Sequence, residues 1–296
     1  MDHEFTAVII GVIFGTVGRI YMLRIDFRQY PSYPHGYLTH LSLGFIAAAL
    51  GAVALPALAG KDYVAVTFLA LAAQQFREIR NMERETLSKL EKNELVPRGQ
   101  DYIEGIAKVF ETRNYLVMAA ALITSGITFL YNWPQGFVAG VLSLIALKYL
   151  MRGSSIAEIC DVVPVKIRFE GAMLVLENII VMNVGLPEAR EKLSKEALCV
   201  KLKPKDDNAR GTINDIGQRQ AILHTASSLL GTKLEDGEPE WTPLARKDIN
   251  TGELYIYLLP NEPDIKLLIE AVKTTPVLES AQRNILSTKI GRQAAD

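Results

Sequence analysis

Cysteine is scarce: Cys160 and Cys199 are the only two in 296 residues, too few for a disulfide framework or a cysteine-based zinc site. The four histidines, His3, His35, His40 and His224, are scattered, so no metal and no other cofactor is expected. Charge of one sign is missing as well. The 32 basic side chains balance 33 acidic ones, which leaves no broad basic footprint and argues against nucleic acid as a partner. Catalytic signatures are absent too. There is no G-x-S-x-G, no P-loop, no H-E-x-x-H and no dinucleotide fingerprint. Without an Asp-Thr/Ser-Gly triplet a pepsin-like membrane protease has no support, and the chain reads as leaning away from an enzyme. A cleavable signal is not expected either, since the first apolar run opens on Asp2 and Glu4 and no small-residue cleavage pattern follows it.

The most telling absence is local. Residues 1–151 carry 13 basic and 12 acidic side chains, against 19 and 21 in the remainder, and whole stretches of that first half have no charge. Residues 5–18 are apolar and continue so past Arg19 to Leu23; 37–60, 63–76 and 114–147 are the other three. A bilayer crossing takes about 20 apolar residues. The last stretch, 34 residues long, is too long for one helix and breaks at Tyr131-Asn132-Trp133-Pro134, so it reads as two crossings, 114–131 and 135–151. The expected fold is therefore a multi-pass α-helical membrane domain of about five crossings (1–152), with a cytoplasmic helical loop at 77–113, followed by a cytosolic α+β domain (153–296). Arg19, near the end of the first crossing, is expected to snorkel to the headgroups. The crossings otherwise lack the buried charges of an ion path, which argues against a transporter. Gly11 and Gly15 form a GxxxG, and with Gly44, Ala48 and Gly51 they are expected to pack helices within one bundle.

Loop charge orients the chain. The 77–113 loop holds eight Lys/Arg, and the loop after the first crossing holds Arg24 and Arg28, whereas Lys61 is the only basic residue in the alternate loops. Basic loops stay in the cytoplasm. Five crossings then put the N-terminus outside and residues 153–296 inside a cell membrane.

Within the charged loop, Val96-Pro97-Arg98-Gly99 should break one helix and a short amphipathic helix should start at Asp101, with Asp101 and Glu104 at capping-box spacing. Here the chain spells Tyr102-Ile103-Glu104-Gly105-Ile106-Ala107. With RQYPSYPHG at 28–36, AVTFLALAAQQFREIRNMER at 65–84, LVPRGQDYIEGIAKVFETRNYL at 95–116 and GQRQAILH at 217–224, this text resembles the YIEGIA family, membrane proteins of endospore-forming Firmicutes, over nearly the whole chain. The resemblance implies a multi-pass membrane protein linked to sporulation. It implies no particular biochemical activity.

Two segments carry candidate site residues. The first is an interfacial polar set of Arg24, Arg28, Tyr30 and His35 with Gln75, Arg77, Glu78 and Arg80, which could hold a lipid phosphate or an acidic peptide; ordinary interfacial anchoring is the plainer reading. The second is Gly217, Gln218, Arg219, Gln220 and His224, on a helix expected at 213–230, as a face for a protein partner or as plain helix surface. Glu104 is either an interfacial site carboxylate or a cap.

The C-terminal half reads as strands around 163–169, 172–176, 179–184, 199–202 and 253–259, helices at 187–198, 213–230, 263–274 and 276–290, and a polar loop at 203–211. The cysteines read as apolar fillers. The functional expectation is a sporulation-associated membrane protein acting as a membrane-anchored regulator or scaffold, in contact with lipid and with a cytosolic protein partner. The alternative is a membrane enzyme, a protease or one acting on a lipid or cell-wall precursor, with an interfacial polar site.

Overall fold

The structure is a computed structural model that describes residues 3–26, 34–91, 96–151, 153–235 and 238–293. Its contacts divide the chain into two compact units. One comprises Met1–Glu85 and Ile106–Arg152, the other Thr86–Gly105 and Gly153–Asp296.

The first unit is helical. α1 (His3–Asp26), α2 (Pro34–Ala59), α4 (Gln100–Leu130) and α5 (Trp133–Leu150) each hold a stretch long and apolar enough to cross a membrane. α3 (Tyr63–Leu90) does not, so among the described residues four helices qualify by length and composition where five crossings were expected. The reason is composition: α3 turns from apolar to charged after Phe76, and its apolar half is too short. The break between α4 and α5 falls at Tyr131-Asn132, as the sequence predicts. α4 departs from expectation at its other end. No breaker stands between Phe110 and Asn114, so the expected short amphipathic helix and the apolar stretch that follows are one 31-residue helix. It begins at Gln100, with the Ile103 N–H donating to the Gly99 carbonyl at 3.1 Å, so Asp101 lies inside the first turn rather than at a cap.

Small residues set the packing of α1, α2 and α4. A Cβ on Gly11 would meet Ser125 and Ala52 at 2.8 and 2.9 Å, and one on Gly15 would meet Ala48 at 2.7 Å and Ala121 at 3.0 Å. These contacts run antiparallel, α1 ascending as α2 and α4 descend. The GxxxG is thus spent inside the bundle. The core is Met22, Ala47, Ala48, Ala52, Phe76, Ile79, Phe110, Val117 and Leu147 with their neighbours.

The second unit is α+β. A four-stranded antiparallel sheet runs β1 (Cys160–Pro164), β5 (Leu198–Pro204), β9 (Leu254–Leu258), β8 (Leu244–Lys247). Its two central strands send alternate residues to opposite faces. Val200, Leu202, Leu254, Ile256 and Leu258 face a layer formed by α6 (Ile156–Ile159), α8 (Asp207–Ile213), α9 (Ile216–Leu230) and α10 (Ile265–Thr274). Cys199, Tyr255 and Tyr257 face a meander of β2 (Ile167–Glu170), β3 (Met173–Leu176) and β4 (Ile179–Asn183), with α7 (Pro187–Glu196) beside it. β6 (Leu234–Glu235) and β7 (Glu238–Pro239) form a short antiparallel ladder. Two segments differ from the sequence reading. The polar run 203–211 contains the end of β5 and the helix α8, N-capped by Asp206. Residues 276–290 form no long helix; a 3-10 turn at Ile285–Ser287 and α11 (Lys289–Gln293) take its place.

Candidate functional site

In the helical unit, α1 carries Arg19, and this side chain is completely buried, contrary to the expected snorkelling. Gly44 makes it possible. A Cβ there would lie 2.3 Å from Arg19 Cγ, so only glycine leaves a lane for the arginine stem between α1 and α2. The stem delivers the guanidinium to His40, one turn earlier on α2. Arg19 Nη2 lies 3.1 Å from His40 Nδ1, Arg19 Nε donates to the His40 carbonyl at 3.4 Å, and the guanidinium carbon stands 5.3 Å from the centroid of the Phe110 ring on α4. That ring also packs on His40, 4.4 Å between centroids. From α3, Glu83 brings Oε1 to 3.7 Å from His40 Nε2, and that oxygen makes no hydrogen bond.

The sequence pattern places these groups together. Phe76, Ile79 and Glu83 share one face of α3, and Phe110, Arg113, Asn114 and Val117 share the buried stripe of α4. Arg113 and Asn114 are 2% and 1% exposed, and neither polar atom of the Asn114 amide has a hydrogen-bond partner. Buried polar groups of this kind are costly in an apolar helical unit. The expectation that these helices lack buried charge is overturned at this layer. Arg19 was visible in the sequence but assigned to the surface; His40 and Glu83 were missed. The usable signal was an arginine inside an apolar helix, with Gly44 and His40 four residues apart on the next.

Arginine only donates, so the lone pair of His40 Nδ1 faces Arg19 and the ring proton sits on Nε2, toward Glu83.

The residues singled out for an interfacial set fall differently. Arg28 and Tyr30 lie outside the described residues, as do the side chains of Arg24, His35 and Arg77. Gln75 and Glu78 are exposed, Glu78 accepting from Asn81 Nδ2 at 3.4 Å. Arg80 is half-buried, 3.7 Å from Glu111.

In the α+β unit the residues of the two quoted motifs meet. Gln220 Oε1 accepts from the Tyr102 backbone N–H at 3.0 Å, and His224 Nδ1 donates to the Val96 carbonyl at 3.0 Å. Gly99 adopts φ +88 against the Gln220 amide, a conformation that favours glycine. Glu91 holds the turn from the other side by accepting from the N–H groups of Arg98 and Gly99 at 2.9 and 3.0 Å. Gly217 lies against the Asp101 carbonyl and Gly105 against Ser280. Gln218, fully buried, bonds the backbone of Pro276 and Leu278, and Arg219 donates to Asn214. Ile103 is buried, Glu104 is half-buried, and Ile106 and Ala107 are buried further along α4. The segment 96–105 and the 217–224 face of α9 are therefore each other's partner. Beside this joint a groove of about 440 Å³ is lined by Arg98, His224, Ser227, Ser228, Thr232 and Asn261 among others.

A second charged cluster lies on the meander face of the sheet. Lys201 Nζ donates to Glu177 at 2.6 Å and reaches Glu253 at 3.4 Å, while Tyr255 donates to Glu177 at 2.9 Å. Burial works against the Lys201 ammonium, but the two carboxylates hold it above the usual lysine value. The hydrogen bond from Lys201 lowers the Glu177 carboxyl. Burial pushes the Cys160 thiol up to about 12 and raises Cys199 as well, which fits inert fillers. Among the described residues no group of His, Cys, Asp and Glu is arranged to hold a metal.

The model of the YIEGIA protein family matches residues 7–288. "Uncharacterized protein YphB" of Bacillus subtilis (strain 168) is 46% identical over 284 residues, covering 96% of this chain and 95% of that protein. No solved structure matches the chain.

Proposed function

This chain belongs to the YIEGIA protein family, and from that premise we propose that it is a membrane-anchored regulator or scaffold of sporulation, working through its α+β unit on the cytoplasmic side. The observation that carries the reading is the joint: the family's namesake residues and the 217–224 stretch hold one another rather than lining a catalytic centre. Residues with that duty build a stable platform. The sporulation link comes from the family resemblance.

The orientation follows from loop charge and is indifferent to α3. Two apolar helices, α4 and α5, separate the basic 77–113 loop from residues 153–296, so both lie on one side, and basic residues make that side the cytoplasm. α1 runs antiparallel to both α2 and α4, so α2 and α4 run the same way and α3 returns the chain between them, which supports a fifth crossing and an N-terminus outside. Single cysteines at Lys61 and Lys92 test this with an impermeant thiol reagent on whole cells. Labelling at Lys61 alone supports five crossings; labelling at neither would contradict the parallel run of α2 and α4; labelling at Lys92 sinks the orientation.

Affinity capture of the full chain from sporulating cells tests the function. One stoichiometric cytosolic partner, lost on deletion of 153–296 and weakened by Gln220→Ala, supports the regulator. A second reading, a membrane enzyme, is favoured by the buried Arg19–His40–Glu83 layer. Bound lipid or uncleaved substrates accumulating in a folded Glu83→Gln variant, with no partner captured, would favour it.

A further inference from the structure

We propose that His40 is a proton-operated switch in the helical unit, exchanging Arg19 for Glu83 as its partner when it is protonated. Each element packed on the ring contributes one side of the exchange. From α1, Arg19 offers only donors and needs the bare Nδ1 lone pair. From α3, Glu83 holds a carboxylate oxygen, without a hydrogen bond, 3.7 Å from Nε2. From α4, the Phe110 ring packs on the imidazole, and Arg113 and Asn114 lie one turn further along its buried stripe.

Gaining a proton reverses the chemistry at Nδ1. A donor then faces a donor at about 3 Å, and a cation faces a cation, so the Arg19 Nη2 contact to the ring is lost while the bond from Nε to the His40 carbonyl is unaffected by the ring proton. At Nε2 the same proton turns a neutral N–H into a charged donor beside a carboxylate, and the gap to Glu83 closes into a charge-assisted hydrogen bond. Histidine is the side chain whose ordinary titration falls in the physiological range. The Asn114 amide, with both polar atoms buried and without hydrogen bonds, supplies donors and acceptors that a displaced guanidinium or an entering water can use. The switch is independent of which partner the α+β unit binds.

The test is histidine and arginine NMR on the full-length chain in detergent micelles, with isotope labels in both residue types. Only four histidines contribute, and His3→Gln, His35→Gln and His224→Gln identify the His40 signals by elimination, so the assignment does not depend on a His40 variant folding. At pH 8 the His40 ring should carry its proton on Nε2 alone. Between pH 8 and pH 5 it should become doubly protonated, and the Arg19 Nη signals, identified by Arg19→Lys, should shift with the same midpoint. In His40→Gln that Arg19 shift should vanish. A ring protonated on Nδ1 at pH 8, a ring still neutral at pH 5, or a titration that leaves Arg19 unmoved would each overturn the proposal.

Discussion

Both units bury a cation, and they treat it differently. In the α+β unit Lys201 is enclosed by Glu177 and Glu253, with Tyr255 bonding the same carboxylate, so the acceptors around the ammonium are themselves engaged. In the helical unit the contacts of Arg19 include the His40 ring nitrogen and the Phe110 face, while the nearby Glu83 oxygen stops short of a hydrogen bond. The first arrangement is closed and fits a structural clamp. The second leaves a polar group waiting, at a site where backbone packing forced the arginine inward. The comparison teaches that burial of charge is not by itself a sign of function; unfinished hydrogen bonding beside it is the better sign.

The comparison breaks most readily at Gly44. Gly44→Ala should cost about 2–3 kcal/mol, because its Cβ overlaps the Arg19 stem. In an Arg19→Ala background the same change should cost little. A double-mutant cycle on thermal unfolding in detergent measures this, and equal costs in both backgrounds would refute the idea that Gly44 exists to admit Arg19.

Lys201→Met should cost less, about 1–2 kcal/mol, since Glu177 is nearly half-exposed and its attraction to the ammonium is screened. The loss should appear as weaker hydrogen-exchange protection on β5 and β9. Adding Glu177→Gln and Glu253→Gln should restore most of it. Failure to recover would mean that the cluster is more than a clamp.

Acid sharpens the contrast further. The Glu177 carboxyl is held below its ordinary value in the folded chain, so its stabilising share is present above the unfolded value of about 4.3 and disappears as the pH falls through the lower folded one. Unfolding of the α+β unit should therefore grow steeper in that window, and Glu177→Gln should flatten the slope slightly.

The smallest expected effect is none. Cys160 and Cys199 are buried with raised thiols, so neither should react with a maleimide at pH 7 until the chain is unfolded. Reaction in the native chain would show that the sheet opens. Their silence also allows the single-cysteine orientation experiment in an otherwise unaltered chain.

Much of this was legible before folding. Uncharged runs marked α1, α2, α4 and α5; the Asn132 turn and the Pro97-Arg98-Gly99 break were placed by residues that cannot continue a helix; and β9, α9 and α10 followed from their apolar patterns. α8 was hidden because Asp, Asn and Gly dominate it and tertiary packing of Ala209 and Ile213 overrides their poor helix propensity. The Arg19–His40–Glu83 layer was hidden for a different reason. Each residue is ordinary on its own helix, and only the antiparallel register of α1 with α2 brings Arg19 opposite Gly44 and His40. Likewise, GQRQAILH by itself allows either a partner face or plain helix surface, and 96–105 lies on it. The sequence by itself determined which segments are apolar and where helices stop, because hydropathy and turn chemistry act locally. Which side chains meet, and whether a polar face is occupied or open, was decided only by tertiary structure, because contacts between residues 21 or 118 positions apart depend on how close-packed elements align.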